Sequence, residues 1–432
     1  MATHVQHHDL QDDVMLDESP EAAQRRADET FPRLAGPWSR SLVLYGAGSI
    51  ARLILPRLRR AGIEPLGFCD RNPRLWGTTI DGLPVTSPEE AAAKFGTRSA
   101  AVMTVFNHAA AYVEIGEYLT GLGFRRAIPC LTLLWKYGAD LLPCFALDLP
   151  QKLVVQRREI AAAAALWSDE ASRAEYWDQV RWRLQGGLEG RRPPVADQYF
   201  PPDLFTLDDH EVFVDCGAFD GDTLRDFAAR RLGRFGRVYA LEPDPATFAR
   251  LRAATEELTL RWGDEFGRRV TLLQLAAGET AGWISFAALG NESSAVSASG
   301  ELRVDCRPLD EILADAMPTY LKFDIEGAEG AALAGVQNTI RRARPILAVC
   351  VYHRPDDLWR IPLWLRDRLE GYHFHLRRHT EESFESVCYA VPHERALLPG
   401  AGTVAVRGPD ATPHDAPASP PAGPPPVTRN AA

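Results

Sequence analysis

The 432-residue chain contains no run of 18 apolar residues, so no segment is expected to span a bilayer. Cysteine is sparse and scattered, at 69, 130, 144, 216, 306, 350 and 388, with no Cys-x-x-Cys pair. An odd count without metal spacing predicts reduced thiols in a cytosolic protein, not a disulfide framework or a zinc site. Positive charge is also short. Forty-eight Lys and Arg against 58 Asp and Glu give a net charge of −10, which argues against a nucleic-acid partner. The basic clusters at 57–60 and 341–344 sit among helix formers and read as solvated faces. No internal repeat is present. The first residues carry Asp12, Asp13, Asp17 and Glu18 in place of a basic-then-apolar leader, so the expected address is the cytoplasm.

A hydrophobic content of 46% supplies packed cores, and the length implies two folded units plus extras. Residues 1–38 are polar, acidic and aperiodic, and are expected to be disordered. Residues 396–432 are rich in Pro and Ala, with eight prolines between 409 and 426, and cannot form a core. Deleting residues 1–35 and 400–432 is therefore expected to leave the melting temperature unchanged. Between the tails lie a small α/β unit (39–150), a helical connector (151–207) and a larger α/β unit (208–395). In the connector Ser168 is the expected cap of a helix that Gly186 and Gly187 stop.

The first unit opens with strand, glycine turn and helix, "LVLYGAGSIA" at 42–51, followed by a strand that ends on Asp70. Gly46, Gly48 and an acid 22 residues after Gly48 make half of a dinucleotide fingerprint. Binding of a nucleotide and a turn kept only for close packing both remain open readings. Further strands at 100–106 and near 127, and a helix capped at Ser87, complete a parallel unit.

The second unit shows strands at 211–215, 237–242, 270–275, 320–325, 345–352, 372–378 and 386–391, with a hairpin-like insertion between 282 and 307. The last two strands are too close in sequence for a crossover and must pair antiparallel. Five parallel strands closed by such a pair form the sheet of a class I methyltransferase.

Its glycine turn, "EVFVDCGAFDGDT" at 211–223, carries Asp215, Asp220 and Asp222. A pyrophosphate would be repelled there, since it seeks amides and a helix N-terminus free of negative charge. A ligand with ammonium and sulfonium charges would be attracted, and S-adenosylmethionine has both and no phosphate. Glu242, ending the next strand 25 residues after Gly217, can accept from both ribose hydroxyls. The alternative is a set of ordinary helix-capping acids. Farther on, "YLKFDIEGAEG" at 320–330 would place Lys322, Asp324 and Glu326 on one side of an inner strand. Central parallel strands are apolar on both faces, so these charges must pair or line a cleft.

The stretches "VFVDCGAFDGDTLRDF", "YALEPDPATFARL", "LDEIL", "LKFDIEGAEGAALAGVQNTIRRARPILAVCVYH" and "LRRHTEESFESVCYA" resemble an FkbM-type methyltransferase over about 208–392. The connector, "LWSDEASRAEYW…YFPPDLF", is similar to the helical lead-in of bacterial members. The first unit, with "GFCDRNPRLWGTTIDGLPV", resembles small nucleotide-sugar-binding domains of sugar-modifying enzymes. The resemblance implies S-adenosylmethionine-dependent O-methylation of a sugar, glycoconjugate or secondary metabolite. It places Asp215, Gly217, Ala218, Asp220 and Thr223 in the cofactor loop, Glu242 and Pro243 at the ribose, and Ala276 and Ala277 near the adenine. Lys322, Asp324, Glu326 and Glu329 form the family's acidic element. One departure is "LLQLAAGE", where Asn would be expected at Gln274 or Leu275.

For the chemistry, Asp324 is the first choice as base or as ligand of a divalent ion such as Mg²⁺, with Glu326 its partner. Lys322 could hold an acid ionised or orient the acceptor. His353 is a second base candidate or a structural histidine, and His373, His375 and His379 read as solvated. The competing classes are an NAD(P)-linked sugar oxidoreductase and a non-catalytic nucleotide-binding scaffold. The missing Tyr-Lys pair in the first unit counts against a working dehydrogenase.

Overall fold

The computed structural model describes residues 16–105, 112–187, 192–287, 295–296, 302–380 and 384–397, and it places the two glycine turns on two separate sheets. In the first sheet the strands are β1 (Leu42–Tyr45), β2 (Gly67–Cys69), β3 (Thr79–Ile80), β4 (Leu83–Thr86), β5 (Ala100–Met103) and β6 (Ala127–Pro129). Their order is β3-β4-β2-β1-β5-β6, parallel except for the β3–β4 hairpin. That hairpin turns through Asp81 and Gly82 at φ 48° and 83°. Asp-Gly is the signature of a tight two-residue turn, so the hairpin was readable but was not among the expected strands. Ser87 caps the helix Pro88–Phe95 by accepting from Glu90 N, as expected.

The second unit contributes β7 (Val212–Cys216), β8 (Arg237–Leu241), β9 (Val270–Leu273), β10 (Ala276–Ala277), β11 (Gly282–Ala287), β12 (Ala295–Val296), β13 (Leu302–Arg307), β14 (Tyr320–Phe323), β15 (Ile346–Cys350), β16 (Tyr372–Arg378) and β17 (Ser386–Pro392). The main sheet has the order β16-β17-β15-β14-β7-β8-β9. The five strands β15, β14, β7, β8 and β9 run parallel, β17 runs against β15, and β16 against β17. This is the expected class I methyltransferase arrangement. The insertion folds as a second sheet, β10-β13-β11-β12, whose β11 and β13 pair antiparallel. Central strands β14 and β15 are buried at every position, as a sheet covered on both faces requires.

Two helices tie the cores together. The helix Glu170–Gln185 sends Tyr176, Val180 and Leu184 into the core of the main sheet and Trp182 into that of the first. It is capped by Asp169, which accepts from Ser172 N, and not by Ser168 as expected. Ser168 is engaged elsewhere: its hydroxyl accepts from Phe374 N on edge strand β16. Gly186 ends the helix at φ 75°.

The second tie corrects the expectation of a disordered start. Residues Pro20–Ala35 form a helix, with Ser19 accepting from Ala22 N and Pro20 in the first turn. Ala27, Phe31 and Ala35 enter the core of the first sheet, while Ala23 joins that of the main sheet. The four-residue spacing of Ala23, Ala27, Phe31 and Ala35 is an apolar stripe hidden by the Arg and Asp residues between them. Residues 1–15 and 398–432 lie outside the described residues. All seven cysteines are free thiols. No helix among the described residues is long and apolar enough to cross a membrane.

Phe31 is fully buried. Phe31→Ala should therefore cost about 3–5 kcal/mol of stability, the usual penalty for emptying a buried aromatic site. Urea denaturation that leaves the midpoint unmoved would show that this helix is not part of the folded core.

Candidate active site

Parallel pairing of β7 and β14 sets Lys322 directly opposite Asp215. Neighbouring strands in register point such residues to the same face. The Lys322 Nζ–Asp215 Oδ1 distance is 2.8 Å, and Nζ also donates to Gly217 O at 2.9 Å. Both side chains are almost wholly excluded from water. Burial raises the Asp215 carboxyl to about 6 although Lys322 pulls the other way. The lysine's own pKa is raised, because the carboxylates around it, Asp215 first, outweigh its burial. The second oxygen of Asp215 is buried without a partner among the described residues.

Immediately after β7 the chain needs glycine. Gly217 has φ 83°, and a Cβ there would lie 1.8 Å from the backbone oxygen of Asp324. Asp324 N donates to Cys216 O at 3.0 Å, closing the two strand ends on each other.

The expected alternation of Lys322, Asp324 and Glu326 along one strand face is not found. β14 ends at Phe323, and Glu326 sits in a turn at φ 54°, followed by Gly327 at 90°. Only Lys322 is a strand residue, and it serves the glycine turn. The cost of an unpaired charge inside the sheet is met by Asp215, whereas Asp324 and Glu326 lie beyond the strand, partly open to solvent.

Asp324 and Glu326 meet His353, which follows β15. Its Nε2 is 3.4 Å from Asp324 Oδ1 and 3.6 Å from Glu326 Oε1, and it has no hydrogen-bond partner among the described residues. Its Nδ1 is 2.8 Å from Glu329 Oε1, and the same oxygen accepts from Ile325 N at 2.9 Å. The histidine is therefore partnered and buried, not solvated. Burial would lower its pKa, but Glu329, with Glu326 and Asp324, overrides this and pushes it to about 10. Burial lifts Glu326 to about 8. Asp324 is different. Burial opposes its charge, yet Lys322, His353 and the Tyr199 hydroxyl hold it below the usual carboxylate range.

Three residues that the sequence reading did not single out complete this edge. Tyr199 Oη donates to Asp324 Oδ2 at 2.8 Å. Tyr352 Oη lies 3.3 Å from Asp324 Oδ1 and 3.2 Å from Glu385 Oε1. Tyr352 stands next to His353 and was within reach of the same reasoning. Tyr199 and Glu385 carry no local signal beyond their place in the segments that flank the sheet.

On the other side of Gly217, Glu242 directly follows β8 and accepts from Phe219 N at 3.1 Å and Asp244 N at 2.8 Å. Asp244 then caps the helix Pro245–Trp262. Burial raises Glu242 to about 7 against those two amides. Ala218 and Thr223 are buried beside it, and Pro243 is half-buried. Asp220 pairs with Arg225 at 3.2 Å. Ala276 and Ala277 form β10, which leaves the main sheet and pairs with Cys306 and Arg307 of β13.

The first unit repeats one element of this design. Asp70 Oδ2 accepts from Ala47 N, between Gly46 and Gly48, at 2.9 Å, as Glu242 accepts from Phe219 N. The expected divalent ion finds less support. Among the described residues no group of three or more His, Cys, Asp or Glu is placed to hold a metal ion. The oxygens of Asp324 already face Tyr199, Tyr352 and His353. His375 and His379 are also engaged, with Asp169 at 2.6 Å and with Val195 O at 2.9 Å.

Residues 215–380 match the family model of the methyltransferase FkbM domain. The chain is also similar in structure to a methyltransferase FkbM from Methylobacillus flagellatus KT, with a TM-score of 0.70 at 22% identity, over 90% of this chain and 99% of that one. The shared fold thus extends well beyond the matched domain. An rRNA methylase from Streptococcus thermophilus (TM-score 0.27, 13% identity, 43% of this chain and 89% of that one) is too distant to carry an argument. The same holds for a putative methyltransferase from Streptococcus mutans in complex with SAH (TM-score 0.27, 11% identity, 44% and 91%). No curated protein matches the chain. The second unit is of the FkbM methyltransferase type, as its motifs implied.

The site makes stability depend on pH with a definite sign. A raised folded-state pKa gives stability that is complete below the unfolded value and lost as pH climbs through the folded one. For His353 that window runs from 6.5 to about 10. Glu326, at about 8, and Glu242, at about 7, act in the same direction from 4.5 upward. Unfolding free energy should fall between pH 6 and 10, and His353→Gln should remove roughly 2–4 kcal/mol of that slope. Parallel stability curves for the two proteins would show that His353 is not charged in the folded state.

Proposed function

We propose that the chain is an S-adenosylmethionine-dependent O-methyltransferase acting on a hydroxyl of a sugar, glycoconjugate or secondary metabolite. The observation that carries this reading is the pair of buried acids, Asp215 and Glu242, on either side of the Gly217 turn. Both are raised by burial, and one Asp215 oxygen lacks a partner among the described residues. Buried carboxyls of this kind fit a cationic ligand bearing hydroxyls and disfavour a pyrophosphate, which weighs against the dehydrogenase reading. Glu242 would meet the ribose, and Gly217, Ala218, Asp220, Thr223, Pro243, Ala276 and Ala277 would line the rest. When bound, S-adenosylmethionine supplies a methyl group activated by its cationic sulfur.

The protein's task is then to place a hydroxyl and remove its proton. Asp324 is partly open to solvent, held ionised by its neighbours, and sits where the two strand ends meet. We assign it the role of proton acceptor, worth about 10²–10⁴-fold in rate. Glu326 lies across His353 Nε2 from it and completes the acceptor edge. His353, charged across the neutral range, keeps Asp324 ionised and is not itself free to take a proton. Lys322 steadies Asp215 beneath the glycine turn. The clasp of Asp70 on the Gly46–Gly48 turn supports a nucleotide or nucleotide-sugar ligand for the first unit. The buried free thiols suit a cytoplasmic protein.

Titration calorimetry with S-adenosylhomocysteine should show binding, and Glu242→Ala should weaken it by about 1–3 kcal/mol, the cost of leaving buried donors unpaired. Preference for NADH would sink the methyltransferase reading. For the chemistry, release of S-adenosylhomocysteine should be followed across a panel of hydroxylated acceptors. Asp324→Asn should reduce it by ~10²-fold or more in a folded protein. Turnover near wild type would remove Asp324 from the role of proton acceptor.

A further inference from the structure

Tyr199 belongs to neither the main sheet nor the residues matched by the family model, yet it touches both sides of the site. Its hydroxyl donates to Asp324 Oδ2 at 2.8 Å, and the ammonium of Lys322 lies 4.8 Å from its ring centroid. The residue is held in place with care. Its backbone is left-handed, at φ 66°, a conformation that a bulky side chain adopts only under constraint. Its N–H donates to Tyr389 Oη at 3.0 Å, and its carbonyl accepts from Tyr320 Oη. Its neighbour Gln198 donates to Glu385, which shares the Tyr352 hydroxyl with Asp324. Two tyrosines on strands of the sheet thus fix one tyrosine from outside it.

We propose that Tyr199 is a positioning residue that joins the two halves of the site, its ring backing the Lys322–Asp215 pair and its hydroxyl fixing the Asp324 carboxylate. The inference rests on the assignment of Asp215 to the methyl-donor side and Asp324 to the acceptor side. Burial raises the phenol well above its ordinary pKa, so it donates throughout the working range. An ionised carboxylate that accepts from a fixed donor keeps one oxygen turned toward Tyr199 and leaves the other facing Tyr352 and His353. An ammonium over an aromatic face gains most where water is excluded, as it is for Lys322. A functional unit cut to the matched domain would lack this brace.

Two variants separate the roles. Tyr199→Phe keeps the ring and its packing but removes the donor, and Tyr199→Leu removes both. The readouts are S-adenosylhomocysteine affinity by calorimetry and the carboxyl ¹³C titration of Asp324, neither of which needs an acceptor. Tyr199→Phe should bind S-adenosylhomocysteine within about twofold of wild type, while Asp324 titrates higher by about one pH unit. Tyr199→Leu should show the same move and bind S-adenosylhomocysteine at least fivefold more weakly. An unmoved Asp324 in Tyr199→Phe overturns the proposal, and Tyr199→Phe remains decisive if the leucine variant does not fold. Wild-type affinity in a folded Tyr199→Leu also overturns it, by removing the link to the donor side. Failure of the wild-type protein to bind S-adenosylhomocysteine refutes the functional assignment itself and is recognised without any variant.

Discussion

The ion pair between Lys322 and Asp215 is the constraint on which the rest of the site depends. Two charges buried in the middle of a parallel sheet are costly, and only close geometry with additional hydrogen bonds offsets that cost. The geometry is supplied by the register of β7 against β14, which sets the two residues opposite each other. The same register brings Gly217 under Asp324 and directs the chain from each strand end to its own side of the turn. A slip of one residue would turn both charges to opposite faces of the sheet, so the pair also selects the pairing.

Most of the main sheet was legible in the sequence because its parallel strands are short, mainly apolar runs, and β7, β8 and β14 are each followed directly by a glycine or an acid. The antiparallel closure followed from the short link between β16 and β17, and the insertion from its length. Features set by tertiary contact were harder to read. The helix Pro20–Ala35 carries so many charges between its four apolar positions that composition pointed the wrong way. The exchange of Ser168 for Asp169 as helix cap arises because β16 arrives to use the serine. Local propensity allowed either residue; the partner strand decided between them.

For the site, the residue types were readable and their pairing was not. Lys322, Asp324 and Glu326 were identified as a set because charges do not belong in a central strand. That reasoning assumed the strand continued through Ile325. It stops at Phe323, and one residue at positive φ, Glu326, changes which side chains face each other. Lys322 therefore pairs with Asp215 beneath the glycine turn, and the two acids gather around His353. Glu329 anchors His353 from the first turn of the next helix, a contact between residues 24 apart in sequence that no spacing rule discloses. Tyr199, ahead of β7, and Glu385, in the link between β16 and β17, are far apart in sequence, and only the fold brings them together.

The approach of Gly217 to the Asp324 carbonyl has a mechanical consequence. With no side chain at one position and a peptide oxygen filling the space, the centre of the sheet's carboxyl edge leaves no slack for sliding or hinging. Backbone packed this closely cannot shift at Gly217 without a clash. Any adjustment at this edge must therefore come from the side chains that stand on it, Asp324, Tyr199 and Tyr352, and not from movement of the two strands.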